Sequence, residues 1–189
     1  MQTLKELQDF YSSTLCHRFF EYQLANGDVV KVHFFRESFC HLLGIQHITN
    51  NRRFLGEKGF ARIHEEKITL KTLKGLNKKG YEYVRNRIQY FDHLDGLLKN
   101  GDLYYFYPDR VSPPSKIYAS ILIYDEEAGL YLNLFLSKER SHKNLYTPVS
   151  FIPFSEKDDH PKRYLEHQEY KKIISRQILR IPEDMQDIL

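Results

Sequence analysis

Between Leu103 and Phe154 the chain reads LYYFY (103–107), KIYASILIY (116–124), LYLNLFL (130–136) and PVSFIPF (148–154). Each run is rich in aromatic and β-branched residues, and turn formers such as Pro113-Pro114 and Glu127-Ala128-Gly129 separate them. That composition and punctuation suit a pleated surface. Four such runs in succession predict an antiparallel meander, with strands at 103–107, 116–124, 130–137 and 147–154.

Upstream, the hydrophobic period changes from two to about 3.6. Leu4, Leu7, Phe10 or Tyr11, and Leu15 recur at three- and four-residue spacing, which predicts a first helix within residues 1–15. HRFFEYQLANGDVVKVHFF then places two β-rich runs around Asn26-Gly27-Asp28, and Asn-Gly supplies the positive φ angles of a tight hairpin over 18–35. Residues 36–100 read as a helical part. Ser38 to Leu43 forms a short helix ended by a left-handed Gly44, and two or three more helices are interrupted near Gly75 and Gly80. A C-terminal helix is expected over 161–180, because Tyr164, Tyr170, Ile173, Ile174 and Ile178 roughly share a helical face. Together these elements predict one α+β domain over 1–189, with N-terminal helices and an accessory hairpin packed on a four-stranded antiparallel sheet. The other face of the sheet is left open.

The composition narrows the class. With 41% hydrophobic and 28% charged residues, disorder and coiled coil are poor descriptions, and 14 Tyr with 13 Phe and no Trp favour aromatic-faced strands. The sequence has no apolar run long enough to span a bilayer and no charged-then-apolar leader at its start, so a cytoplasmic protein without a membrane partner is expected. Cys16 and Cys40 read as free thiols. The absence of CxxC and HExxH gives no support to a metal site, and no glycine-rich phosphate loop suggests a cofactor. Net charge is only +3, but residues 49–93 hold eleven basic residues, Arg52, Arg53, Lys78 and Lys79 among them, against five acidic ones. That segment is a candidate phosphate-facing surface.

Cleavage of RNA through its 2′-hydroxyl needs a proton acceptor, a proton donor and cations near the developing phosphorane charge. Lys, Arg, His and Tyr can supply all three. His41 and His47 flank a helix end, and the strand region adds Ser115, Lys116, Asn133, Lys138, Arg140, His142, Lys143, Tyr146 and Ser150. Among these, His41, Lys116, Tyr146 and Ser150 are the candidate catalytic residues. Ser115, Asn133, Lys138, Arg140, Lys143, Arg52 and Arg53 are candidates for substrate binding.

Several blocks carry a resemblance. FFRESFCHLLGI (34–45), VRNRIQYFDHLDGLL (84–98), SKIYASILIY (115–124), LYLNLFL (130–136) and YTPVSFI (146–152), followed by Tyr164 and Gln168, resemble successive blocks of a phage-associated nuclease family. That family shares the fold class uniting barnase, EndoU, the tRNA-cutting colicins and RelE. The resemblance implies a metal-independent ribonuclease whose site combines a helix and the sheet. His41 matches the family's HLLG histidine, Ser115 and Lys116 its S-K pair, and Pro148, Val149 and Ser150 its P-V-S strand. Asn133 departs from the pattern, since the third strand of the family often carries His there. Two functions follow. One is an endoribonuclease of phage or mobile-element type, acting on RNA such as tRNA or mRNA as a toxin or a defence or takeover effector, with an antitoxin or host protein as partner. The other is an inactive nuclease scaffold that binds a nucleic acid or a host protein.

Overall fold

A computed structural model describes residues 2–140 and 144–181. The first helix, α1 (Leu4–Phe10), opens on a reciprocal cap: the Glu6 amide donates to the Thr3 hydroxyl, and the Thr3 amide donates to the Glu6 carboxylate. It continues as a π-helical turn over Tyr11–Cys16. Tyr11 is fully buried there, and its hydroxyl donates to the Phe35 carbonyl at 2.7 Å. The expected hairpin follows as β1 (Arg18–Leu24) and β2 (Val29–His33), turning through Gly27 at φ 89°.

The helical part contains α2 (Phe39–Leu42), α3 (Gly56–His64), α4 (Leu70–Leu76), α5 (Lys78–Gln89) and α6 (Leu94–Asn100). Gly44 is left-handed, as its position after α2 predicts. A Cβ there would lie 2.7 Å from Cγ1 of Val84, so a side chain at this position would push α5 away. The expected breaks at Gly75 and Gly80 are displaced, for both glycines lie inside helices. Asn77 makes the break instead. Its side chain accepts from the Gly80 amide at 3.0 Å and caps α5, a task that glycine cannot perform.

The remaining strands are β3 (Asp102–Tyr105), β4 (Ile121–Glu127), β5 (Leu130–Lys138), β6 (Leu145–Ser155), β7 (Glu169–Lys171) and β8 (Ile173–Arg180). β3 to β6 pair antiparallel in sequence order. The expectation of a four-stranded antiparallel sheet is nevertheless wrong. One mixed eight-stranded sheet runs β7-β3-β4-β5-β6-β2-β1-β8. The hairpin is no accessory: β2 lies parallel to β6, with Lys31 opposite Leu145 and Val32 opposite Tyr146.

The C-terminal helix is also corrected. Residues 161–167 form turns, and the segment expected to be its helix is β7 and β8. Tyr170, Ile174 and Ile178 are spaced for a helix face, but an even spacing suits a strand as well, and here Tyr170 falls on β7 and Ile174 and Ile178 on β8. Open strand edges decided between the two. β7 pairs with β3 at one end of the sheet and β8 with β1 at the other, with only Lys172 between them. A single chain segment therefore draws the two edges together into a nearly closed barrel. Arg176 fastens the seam by donating to the carbonyls of Lys99 (2.9 Å), Asn100 (3.3 Å) and Gly101 (2.7 Å).

A third correction bears on the site. Residues 116–120, expected to begin a strand, belong to an irregular loop. Amides of this loop bond locally, Ser115 N to Pro108 O, Ile117 N to the Ser115 hydroxyl and Ala119 N to Ile117 O, while Ser120 N, next to β4, reaches across to Leu136 O on β5. The middle of the sheet, β4 and β5 above all, is buried on both faces, whereas β7 and β8 are largely exposed. One face carries the main core with the helices, including Phe20, Leu134 and Phe151. The face expected to be open is covered by loop residues Phe106, Val111 and Tyr164, which pack on Leu122, Tyr124 and Phe135.

Candidate active site

The parallel pairing that joins the hairpin to the meander spans only two residues of each strand. β6 then runs on to Ser155 with a strand partner on its β5 side alone. Its ladder is also irregular: Phe135 faces Ser150 and Leu136 faces Pro148, so Val149 is bulged out of register. Such bulges re-aim side chains and free backbone groups. Here the backbone of Val149 hydrogen-bonds the His41 ring.

A cleft of about 690 Å³ opens over this part of β6. α2 and the turn after it contribute His41 and His47, and α5 contributes Tyr83 and Arg87. Ser115 to Tyr118 come from the irregular loop, and Val149, Ser150 and Ile152 from β6. The turns before β7 add Arg163 and Tyr164. Its volume falls in the usual range for small-ligand sites.

Charge in the cleft is one-sided. No carboxylate is among the described residues that line it, whereas Arg87, Lys116 and Arg163 all do. Arg87 is only 6% exposed. Burial lowers its pKa, and the neighbouring Tyr83 and Tyr164 oppose that shift, Tyr83 also through a hydrogen bond. Arg163 stacks over the Tyr164 ring at 4.7 Å, and its buried Nε has no hydrogen-bond partner. Burying a cation without a counter-charge is costly, so the arrangement is primed for an anion.

His41 is open to the cleft, but the protein around its ring withdraws enough water to lower its pKa. Arg87 adds to that effect, and the Val149 backbone works against it. His47 is lowered in the same way, by desolvation first and then by Arg87 and His41. Burial instead raises the Tyr164 phenol, which stays protonated well past neutrality. A neutral imidazole, a protonated phenol and three cations thus share one cleft.

Of the residues singled out from sequence, His41, His47, Ser115, Lys116 and Ser150 line this cleft. Asn133 does not. It is fully buried on β5, opposite Ile152, and its Nδ2 donates to the Ile152 carbonyl at 3.0 Å, so it braces the strand that forms the cleft wall. Tyr146 lies at the other end of β6, half-buried, where burial first and then Asp28 raise its pKa. Lys138 and Arg140 are exposed beyond the end of that wall, and Arg52 and Arg53 are exposed on a turn after α2. None of these five lines the cleft. Lys143 and His142 lie outside the described residues.

Arg87, Arg163, Tyr83, Tyr118 and Tyr164 were not read as site residues. For Arg87 a signal existed. Tyr81, Val84 and Ile88 form the buried stripe of α5, and position 87, three after Val84, falls on it. A charge in the apolar stripe of an amphipathic helix marks a special environment. Arg163 offered no comparable local signal.

Among the described residues no three His, Cys, Asp or Glu side chains group so as to hold a metal ion. No helix among them is long and apolar enough to cross a membrane. No curated protein and no solved structure matches the chain. A family does match, over residues 3–180 of 189. The chain belongs to the family described as phage-Barnase-EndoU-ColicinE5/D-RelE like nuclease 4.

Proposed function

We propose that the protein is an endoribonuclease that cleaves RNA through its own 2′-hydroxyl, with no metal in the reaction. The observation that carries this reading is a cleft with no carboxylate among its described lining residues, in which Arg87, Lys116 and Arg163 share the lining with a histidine held neutral. His41 takes the proton of the 2′-hydroxyl, and the oxygen attacks the adjacent phosphorus. Arg87, Lys116 and Arg163 face the charge that grows on the phosphorane oxygens, which is where preorganised cations contribute most. Tyr164 gives its proton to the departing 5′-oxygen, and the hydroxyls of Ser115 and Ser150 position the phosphate. The products are a 2′,3′-cyclic phosphate and a 5′-hydroxyl. Toxin, defence or takeover activity in the cytoplasm, acting on tRNA or mRNA and restrained by an antitoxin or host protein, agrees with the phage association of the family.

Incubation of the purified protein with total RNA, with and without EDTA, tests the proposal. Equal cleavage in both, leaving cyclic phosphate ends, is expected. Fragments with 5′-phosphate ends, or loss of cleavage in EDTA, would refute it. A second reading draws on Asn133, whose amide is committed to the β6 backbone and offers no proton-transfer group at that strand position. An inactive scaffold would bind RNA with salt-sensitive affinity and leave it intact.

A further inference from the structure

Two tyrosines of the cleft are left without the burial that their rings would gain elsewhere. Among the described residues Tyr118 is 89% exposed and Tyr83 67%, above Ile174 at 62% and Tyr170 at 53%, so they are the two most exposed large apolar side chains. A single exposed aromatic is ordinary. That the two highest exposures fall in the one cleft that also holds Arg87, Lys116 and Arg163 is a pattern. They arrive from different elements, Tyr118 from the irregular loop and Tyr83 from α5. Tyr83 is anchored by its hydrogen bond to Arg87 and by an edge contact with His47, with ring centroids 5.1 Å apart. Tyr118, at 89% exposure, leaves nearly all of its ring open to solvent.

We infer that Tyr118 and Tyr83 form a base-stacking subsite and that the RNA held in the cleft is single-stranded at the cleaved phosphate. The inference deepens the ribonuclease reading and rests on it. A base inside a duplex has both faces covered by its neighbours, so only an unpaired, splayed base can offer a face to a side chain. Cations that track the phosphates, together with exposed rings that take the bases, make up the general solution for single strands. Stacking tolerates any base, so this subsite selects strandedness and leaves sequence choice to other groups.

Tyr118→Ala is the direct test, because a ring so exposed can be removed without disturbing the core. The probe is a short fluorescent 2′-O-methyl oligouridylate, which cannot be cleaved, compared with an abasic oligomer of equal length and with a duplex. Tyr118→Ala should weaken binding of the base-bearing strand about tenfold, within the range that one stacked base contributes. Tyr118→Phe, which keeps the ring, should stay within about twofold of wild type. The abasic and duplex probes should bind more weakly and ignore the substitution. The subsite is disproved if Tyr118→Ala binds the single strand as wild type does, if Tyr118→Phe fails as badly as Ala, or if the abasic probe binds as tightly as the base-bearing one. The ribonuclease reading is judged separately, by loss of cleavage of the unmodified oligouridylate in His41→Ala. Cleavage that needs His41 with binding indifferent to Tyr118 sinks only the subsite. Stacking without His41-dependent cleavage sinks only the nuclease chemistry.

Discussion

Charged groups are treated in opposite ways at the seam of the barrel and in the cleft. At the seam they are matched. Tyr105 donates to Asp28, which also accepts from Asn26 at 2.8 Å. Lys171 pairs with Glu169 and lies over the Tyr105 ring at 4.1 Å, and Tyr107 donates to Glu169 at 3.0 Å. These contacts tie the hairpin, β3 and β7 to one another. In the cleft Arg87 and Arg163 have aromatic neighbours, and no carboxylate is among the described lining residues. The contrast separates two uses of polar residues: matched groups satisfy each other and hold the sheet closed, while unmatched ones keep their charge for a ligand. Lys162 and Arg163 show it within two residues, since Lys162 pairs with Glu126 at 2.7 Å and Arg163 faces the cleft.

The comparison breaks most visibly if His41 is dispensable. His41→Ala should lower cleavage by about 10²- to 10⁴-fold, the usual contribution of a positioned base, with the melting temperature little changed. Retained cleavage would move the proton acceptor elsewhere. In the wild type the rate should rise with pH and level off below the ordinary histidine value, because desolvation and Arg87 depress the His41 pKa. The same sign applies to stability. With the folded pKa depressed, the unfolded chain binds the proton first, so this contribution is present above about pH 6.5 and is lost as pH falls through the folded value.

Arg87→Met comes next and carries opposite signs for function and stability. Cleavage should drop by about 10- to 100-fold, corresponding to one lost electrostatic contact to the transition state. Unfolding free energy should hold or rise, since a buried cation without a counter-charge is replaced by an apolar side chain. The pH inflection should also move up toward the ordinary histidine value. Lower stability would show that Arg87 serves the fold as the seam residues do. Arg176→Ala is the mirror image. It should cost about 1 kcal/mol in denaturant unfolding, through lost bonds to three carbonyls, and leave cleavage at the wild-type rate. A cleavage defect there would blur the distinction between the two regions.

The smallest effect is expected from neutralising Arg52, Arg53, Lys78 and Lys79 together. These side chains are exposed outside the cleft and act through screened charge. RNA binding at physiological salt should weaken by less than about threefold, while the log-log salt slope becomes shallower by roughly 0.7 for each phosphate contact removed. A loss matching that of Arg87→Met would place the principal phosphate contacts on this surface.

Local features of this chain were legible wherever one chain neighbourhood settles the backbone. Asn26-Gly27-Asp28 specifies a tight turn and Gly44 a left-handed stop. The alternating runs make β3 to β6, and His41, Ser115, Lys116 and Ser150 stand out by residue type. The matter was different where a distant partner decides. EYKKIISRQILR (169–180) fits a helix face and a strand equally well, and only the open edges of β3 and β1 make it a strand. Arg87 is one of eleven basic residues in its segment; its place on the apolar stripe of α5 hints at burial, but the packing of α5 beside β6 is what turns it into a cleft residue. Turn chemistry and hydrophobic period are short-range and are written in consecutive residues. Edge pairing and desolvation depend on what the rest of the chain brings alongside, so the nearly closed barrel and its cation-lined cleft were decided by the tertiary structure.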